Sequence, residues 1–440
     1  MPKIQRKNYD VIILGGGPAG LGCAVNLAER GISVLLVERH DISSTSKTWL
    51  TFDDVLKKYA LEECIRNRFS EILFSCYLGN SYAFANRDFI YPIHEEKALA
   101  LLARRATAQG AVIKDKEPFI NYRLDEKDGT VIINTTKSTY QARLAVDAMG
   151  RDSQLLPSRG LTNDTIDMGC LSFFLEDVNH KNDNAMLLYD SFFPGPDYFW
   201  LVPLEENKVM AGIFFFSSLS GCNLKEKAGK LELYLQAKNL KGRVYDTRKG
   251  NIPLGNQRRI HTESILCMGD SCNTALPSSG FSFNRCLEES ELLAGFVEQY
   301  LDAKLPLSEY KNTILGSKIP AIEIHLMISD MLSKFTDPML NKAIGEMKNL
   351  DEEFLVSFLS GRDMSFSWAV TALRAIMNTF SLAEIRSLSL KQNYLKNFSN
   401  LYNLLPALPS AKIGEQLMNF MTGIIKSDYP TLAGLLKGRK

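Results

Sequence analysis

The sequence predicts an α/β protein in which a doubly wound domain is joined to a β-sheet domain and a C-terminal helical domain. Three observations support this prediction. A glycine-rich turn lies between two apolar runs near residue 15, residues 165–220 are rich in Phe, Tyr, Trp and Val, and helical periodicity prevails from about residue 305 onward. A chain of 440 residues is long enough for two or three packed units.

The composition excludes several classes of protein. Hydrophobic residues make up 45% of the chain and charged residues 23%, as in folded globular proteins. The net charge of +1 gives no reason to expect nucleic acid as a partner. The 8 cysteines contain no C-x-x-C pair, so we expect reduced thiols and no metal site. No signal-peptide pattern or bilayer-length apolar run is present, so we expect a cytoplasmic protein whose only membrane contact is at its surface.

The segment YDVIILGGGPAGLGCAVNLAERGISVLLVERH, residues 9–40, has the βαβ pattern of dinucleotide binding. An apolar strand leads into Gly15, Gly17 and Gly20, and a second strand ends at Glu38. Gly15 permits a tight turn, Gly17 lets the backbone approach a pyrophosphate, and Gly20 lets helix and strand pack closely. Glu38 lies 18 positions beyond Gly20, where a carboxylate accepts hydrogen bonds from ribose hydroxyls. The first domain is therefore predicted to be a Rossmann-type nucleotide-binding domain.

Two later segments, ARLAVDAMGRDS (142–153) and ILCMGDSCNTALPSSGFSFNRCLEESELLAG (265–295), complete an ordered set of motifs. A glycine motif, then D-A-x-G, then G-D followed by P-x-x-G is the order seen in flavoprotein hydroxylases, geranylgeranyl reductases and lycopene cyclases. The resemblance implies FAD as the cofactor. It also implies that Asp270 binds the ribityl chain and that the segment from Pro277 to Phe281 lies at the flavin ring.

Three short segments narrow the resemblance to lycopene cyclase-like and geranylgeranyl reductase-like flavoproteins. They are SKTWLTF (46–52), PSSGFSF (277–283) and LDEEFLVSFLSGRD (350–363). The implied fold is a doubly wound Rossmann-type FAD domain in discontinuous segments, with a β-sheet substrate domain and a C-terminal helical domain. We expect residues 1–85, 86–164 and 259–304 in the FAD domain, 165–258 in the sheet domain, and 305–440 in the helical domain.

The hairpin LVPLEENKVMAGIFFF, residues 201–216, argues against one of the activities of these relatives. In lycopene cyclases its second strand carries adjacent acids that protonate a polyene, whereas this chain has Ala-Gly-Ile-Phe at 211–214. A cyclisation that begins with a cation needs a strong proton donor, and an apolar strand offers none. We therefore expect an FAD-dependent reductase, dehydrogenase or monooxygenase for a large hydrophobic, unsaturated substrate such as an isoprenoid, polyene or polyketide, with NADPH or NADH as the reductant.

Three alternatives stay open. The first is a lycopene cyclase-type isomerase that uses reduced FAD without net redox change and takes its acid from elsewhere. The second is a flavin-dependent halogenase, and the third is a non-catalytic flavin-binding partner protein. The sequence leaves the catalytic residue and the oligomeric state undetermined, with Lys47 and His94 as the candidate catalytic side chains.

The expected site residues fall into two groups. Those expected to bind FAD are Gly15, Gly17, Pro18, Ala19, Gly20, Glu38, Arg39, Thr48, Gly150, Gly269, Asp270, Pro277, Gly280 and Phe281. Those expected to line the substrate pocket are Trp49, Trp200, Gly212, Phe214 and Phe216. Because side chains alternate along a strand, Phe215 belongs to the opposite, core face, and the bare Gly212 is expected to leave room for substrate. Glu205 and Glu206, in the hairpin turn, are expected to be solvated.

Overall fold

The structure is a computed structural model that describes residues 8–388, apart from residues 46, 88, 126–127, 154, 160–164, 179–184, 206, 256, 258–259 and 363–364. Glu206 therefore lies outside the described residues, as does the part of the predicted helical domain beyond residue 388.

The strands follow the apolar runs of the sequence. In chain order they are β1 (Asn8–Leu14), β2 (Val34–Val37), β3 (Leu50–Phe52), β4 (Glu71–Cys76), β5 (Ser81–Ala85), β6 (Ile90–Pro92), β7 (Val112–Lys114), β8 (Phe119–Leu124), β9 (Val131–Thr135), β10 (Thr139–Asp147), β11 (Thr165–Glu176), β12 (Ala185–Ser191), β13 (Tyr198–Pro203), β14 (Val209–Phe215), β15 (Arg243–Gly255), β16 (His261–Thr262) and β17 (Ile265–Cys267).

The helices are concentrated after residue 283. In chain order they are α1 (Pro18–Ala28), α2 (Asp53–Tyr59), α3 (Glu95–Ala108), α4 (Leu224–Ala237), α5 (Phe283–Leu301), α6 (Tyr310–Ile314), α7 (Ile319–Leu332), α8 (Asp337–Glu346), α9 (Glu352–Ser360), α10 (Phe366–Thr379) and α11 (Leu382–Ser387). Among the described helices, none is both long enough and apolar enough to cross a bilayer. The predicted surface contact with a membrane stays a prediction.

The first sheet is the doubly wound one. Its strand order is β16-β17-β10-β1-β2-β7, with β9 and β8 added beside β10. Strand β1 is parallel to both β10 and β2, and the strand β2 is buried along its whole length. The chain leaves β1 toward β2 on one side and later returns to β10 on the other, so the order reverses at β1. A crevice at the carboxyl ends of such strands is where doubly wound sheets bind ligands.

The second sheet covers the crevice and has the order β15-β11-β14-β13-β12-β4-β5. Strands β4 and β5, from residues 71–85, also belong to this sheet, because β4 pairs with β12. Tyr198 lies opposite Phe214, and Trp200 opposite Gly212, so these four residues share one face. Phe215 is on the other face and is only 1% exposed.

A layer of helices closes the opposite side of the crevice. Helix α8 packs against β4 and β5, and α10 packs against α7 and α8.

The hairpin turn differs from expectation, because Glu205 receives two hydrogen bonds from the Arg66 guanidinium, at 2.7 and 2.8 Å. Burial opposes ionisation of Glu205, but the bonds from Arg66 outweigh it and lower its pKa to about 2. Glu205 is therefore an ion-pair partner and not a solvated turn residue.

Candidate active site

One cavity of about 1030 Å³ runs through the junction of the two sheets and the helical layer. It begins at the turn after β1, passes beneath the face of the second sheet that carries Trp200, and ends among α7, α8, α9 and α10. A volume of this size is at the upper end of the range for small-molecule sites, about 300–1,000 Å³. The cavity therefore has room for more than one ligand group.

The glycine turn forms the first end of the cavity. Gly15 has φ +106°, and a Cβ there would lie 2.3 Å from the Ala148 carbonyl oxygen, so only glycine suits the turn. A Cβ at Gly20 would lie 1.9 Å from the Gly15 carbonyl oxygen, which shows how closely α1 packs on the turn. A Cβ at Gly17 would meet no atom within 4 Å. The backbone at Gly17 and the N-terminus of α1 thus face open space, as binding of a pyrophosphate requires.

Polar groups beside this turn are placed for a nucleotide. The Glu38 carboxylate accepts hydrogen bonds from the backbone N–H groups of Gly16, at 2.7 Å, and His40, at 2.8 Å, and lines the cavity. Thr48 also lines the cavity, and its buried hydroxyl has no hydrogen-bond partner among the described residues. A buried hydroxyl without a partner is costly, so a ligand group at this point would satisfy it. The residues present therefore fit FAD.

Two aspartates lie at or just after the carboxyl ends of β10 and its neighbour β17. Asp147, at the end of β10, is 1% exposed and accepts a hydrogen bond of 2.6 Å from the Ser153 hydroxyl; burial raises its pKa to about 6. Asp270 lies in the 3-10 turn Gly269–Cys272 after β17 and lines the cavity. Burial raises the pKa of Asp270, and the positive charges of Lys47 and Arg151 oppose that rise. Asp147 is thus part of the scaffold, while Asp270 faces the ligand space.

The loop before α5 is fixed from the helical side. The Ser278 hydroxyl lies 2.5 Å from Nδ1 of His325 in α7, and the Ser279 hydroxyl donates to the Leu359 carbonyl at 3.2 Å. His325 is fully buried, and its ring stacks on Trp368 with centroids 4.5 Å apart. Burial lowers the pKa of His325 to about 3, so the imidazole is neutral at physiological pH. Sequence reasoning missed His325, whose only signal was an isolated histidine in an apolar helix.

We call the face of the second sheet that carries Tyr198, Trp200 and Phe214 the sheet floor. It corrects one expectation. An idealised Cβ at Gly212 would lie 1.9 Å from the Trp200 indole, so Trp200 fills the space that the sequence assigned to substrate. The Trp200 and Phe214 rings are 4.2 Å apart, and both line the cavity. Phe216 lies beyond the end of β14 and packs beside Tyr198, with ring centroids 6.2 Å apart. Gly212 therefore allows a tryptophan to lie flat on the strand and does not itself form the pocket wall.

Two proton-bearing groups on this floor were not foreseen. The Tyr198 hydroxyl lies 3.4 Å from the Met168 sulfur, and the Cys170 thiol lies 3.4 Å from the Gly250 carbonyl oxygen. Burial raises the pKa of both groups, so each keeps its proton at physiological pH. Lys47 lines the same part of the cavity near Gly250. The sequence signal for Tyr198 and Cys170 was their spacing. Tyr198 lies two positions from Trp200, and Cys170 lies two positions from Ser172, so each pair shares one face of a strand.

The far end of the cavity, which we call the apolar chamber, is enclosed by one face each of α7, α8, α9 and α10. Helix α8 presents Leu340, Ala343, Ile344 and, as its last residue, Glu346, and α10 presents Ala372, Ala375, Ile376 and Thr379. This spacing of three and four residues is the apolar face of a helix. The sequence predicted helices here but not that their apolar faces would leave a space between them.

The expected site residues are distributed as follows. Most of them line the cavity: Gly15, Gly17, Pro18, Ala19, Glu38, Arg39, Lys47, Thr48, Trp49, Gly150, Trp200, Phe214, Gly269, Asp270, Gly280 and Phe281. The cavity-lining residues do not include Gly20, His94, Gly212, Phe216 or Pro277 among those described. His94 precedes α3 on the exposed side, and its side chain makes no capping hydrogen bond.

Comparison with known proteins agrees with this geometry. The family model described as lycopene cyclase protein matches residues 10–388. The chain belongs to the lycopene cyclase protein family. It is an FAD-dependent enzyme of the oxidoreductase type.

Individual members of the family are distant relatives. A digeranylgeranylglycerophospholipid reductase of Methanocella arvoryzae is 21% identical over 79% of this chain and 93% of its own. Capsanthin/capsorubin synthase of Capsicum annuum is 22% identical over 68% of this chain and 62% of its own. A geranylgeranyl bacteriochlorophyll reductase-like protein of Thermoplasma acidophilum has the same fold, with a TM-score of 0.71 at 17% identity, over 87% of this chain and 100% of its own.

Proposed function

We propose that this lycopene cyclase family member is a flavin-dependent reductase of carbon–carbon double bonds in long isoprenoid chains. The observation that carries the proposal is a single cavity that joins the glycine turn to the apolar chamber. A ligand that extends through this cavity has one end beside the cofactor site and a long hydrocarbon part among helices. The relatives named digeranylgeranylglycerophospholipid reductase support the same class of substrate.

The walls suit a hydrocarbon and do not suit a cation-initiated cyclisation. Each buried methylene contributes about 0.8 kcal/mol to binding, so a chain that fills the chamber gains affinity without polar contacts. Of the described residues that line the cavity from the second sheet, none is a carboxylate. This absence leaves the sheet without the strong acid that would start ring closure, which supports reduction over isomerisation.

The chain's own residues bind and orient the substrate and hold a proton near it. When bound, reduced FAD supplies a hydride. Saturation of a double bond also consumes one proton, so a proton-bearing group must face the reacting carbon. The Tyr198 hydroxyl and the Cys170 thiol both line the cavity beside Phe214, and both are protonated at physiological pH. We infer that one of the two delivers the proton. The Trp200 indole and the Phe214 ring form the wall that aligns the double bond.

Product mass tests this proposal. The FAD-loaded protein is reduced anaerobically with dithionite and incubated with geranylgeraniol, and parallel samples receive NADPH or NADH in place of dithionite. A product heavier by two hydrogens supports a reductase. An added oxygen in the presence of air, a loss of two hydrogens with oxidised flavin, or a changed product of unchanged mass would instead establish a monooxygenase, a dehydrogenase or an isomerase.

Single substitutions identify the proton donor. Loss of a general acid lowers turnover by roughly 100-fold or more. We expect that loss from either Tyr198→Phe or Cys170→Ala, with flavin content unchanged. Tyr189→Phe is the matched control, because Tyr189 stacks on Tyr198 with ring centroids 4.2 Å apart and also lines the cavity. Full turnover in both Tyr198→Phe and Cys170→Ala would show that neither group delivers the proton.

A further inference from the structure

The aromatic rings that line the cavity form a series of contacts between the sheet floor and the apolar chamber. Phe214 lies 4.2 Å from Trp200 and 5.0 Å from Tyr198, measured between ring centroids. Tyr198 in turn stacks on Tyr189, which packs against the cluster that contains Leu340 and Ile344 of α8. Contacts between side chains therefore connect the sheet floor with α8.

Helix α10 forms a further part of the chamber wall. Phe335 packs against the cluster that contains Leu340 and Ile344 of α8, and also against Phe380, directly after α10, with ring centroids 5.0 Å apart. Helix α10 itself packs against α7 and α8, and all three helices line the chamber.

Three of the four side chains that α10 presents to the chamber are small, and the fourth is Ile376. Ala372 and Ala375 lie one turn apart and line the chamber, followed by Thr379 on the next turn. The Thr379 hydroxyl donates a hydrogen bond of 2.9 Å to the Ala375 carbonyl, so its polar group is satisfied within the helix. By contrast, α7 presents Ile328, Met331 and Leu332 to the same space. Space at the end of the chamber thus depends on the small residues of α10.

We propose that α10 is the chain-end wall of the substrate cavity and that the small side chain of Ala375 sets the longest hydrocarbon chain that the protein accepts. This inference rests on the proposed function, because it assumes that a linear hydrocarbon occupies the chamber. A larger side chain at position 375 should therefore shorten the longest hydrocarbon chain that binds. It should not change the binding of shorter chains or of FAD.

The test measures binding and not turnover. Equilibrium dialysis of the FAD-loaded protein with geraniol, farnesol and geranylgeraniol gives an affinity for two, three and four isoprene units. In Ala375→Phe, we expect affinity for geranylgeraniol to fall roughly a hundredfold, because several methylenes are forced out of the chamber. Affinity for geraniol should stay within about twofold. Ala375→Val and Ala375→Leu should give smaller, graded losses in the same order.

Asn378→Phe is the matched control, since it places the same ring on an exposed position of the same helix. It should bind all three alcohols like the unmodified protein. If Ala375→Phe does not fold, the Val and Leu variants still provide the graded test. A uniform loss for all three alcohols, or an unchanged profile in folded variants, would overturn the role of α10. Failure of the unmodified protein to bind any of the alcohols would instead overturn the proposed substrate class, and this inference with it.

Discussion

The two ends of the cavity are built in different ways. At the glycine turn, Gly15, Gly17 and Gly20 lie within a few positions of one another, and the positive φ of Gly15 and the close approach at Gly20 fix the geometry. At the apolar chamber, the walls come from four helices and from strands of the second sheet, which are far apart in the chain. The geometry of the first end is therefore sensitive to the addition of one methyl group at a glycine. The shape of the second end depends instead on how separate elements pack.

The largest effect is expected at the first end, from Gly20→Val. A Cβ at this position would lie 1.9 Å from a backbone oxygen that cannot move aside, so α1 must separate from the turn. Overpacking of this kind costs about 3 kcal/mol or more. We expect a large fall in the free energy of unfolding, measured by urea denaturation of the apo protein. Unchanged stability would mean that α1 does not pack on the turn as closely as the structure shows.

An intermediate effect is expected at the second end, from Gly212→Ala. The added methyl group overlaps the Trp200 indole, whose closest atom lies 1.9 Å from an idealised Cβ, so Trp200 must leave the strand. We expect a loss of about 2 kcal/mol in the free energy of unfolding. Combining Gly212→Ala with Trp200→Leu should recover part of that loss, because the smaller side chain frees the space. Strictly additive losses would show that Gly212 and Trp200 do not compete for one volume.

His325, which lies between the two ends of the cavity, should make the free energy of unfolding depend on pH. The unfolded chain titrates this histidine near its ordinary value of 6.5, whereas burial and the charge of Arg285 lower its pKa to about 3 in the folded protein. Between these values the unfolded state binds more protons, so the stability associated with a neutral His325 is complete above pH 6.5 and is lost as pH falls toward 3. The largest slope is about 1.4 kcal/mol per pH unit.

In His325→Gln, this dependence should disappear from urea denaturation measured between pH 4 and pH 7. Asp147 contributes with the opposite sign, because burial raises its pKa to about 6. That contribution is common to both proteins and cancels in the difference between them. Equal pH profiles for the two proteins would show that His325 is not kept neutral by the fold.

The smallest effect on stability is expected from Gly17→Ala, the counterpart of the Gly20 variant. Gly17 has φ −75° and ψ −175°, which any residue adopts, and a Cβ there meets no protein atom within 4 Å. The free energy of unfolding of the apo protein should change by less than about 0.5 kcal/mol. Affinity for FAD should nevertheless fall, because the methyl group occupies the ligand space. Unaltered flavin affinity in a fluorescence titration would place the pyrophosphate elsewhere.

The sequence by itself determined the doubly wound sheet, the turn at Gly15 and the helical pattern after residue 305. These features depend on local spacing, on glycine's access to positive φ and on runs of apolar residues, all of which are visible in the chain. The absence of acids from residues 211–214 was equally visible. Such features require no knowledge of which distant residues will meet.

Only the tertiary structure decided what occupies the space at Gly212, what pairs with Glu205, and what holds the loop at Ser278. A bare glycine looks the same in sequence whether it admits a ligand or a neighbouring indole, and here the Trp200 ring fills the space. Glu205 forms its ion pair with Arg66, 139 positions away, and Ser278 contacts His325, 47 positions away. The apolar chamber likewise exists because helices pack with their apolar faces apart, and the pattern of each helix alone cannot show that separation.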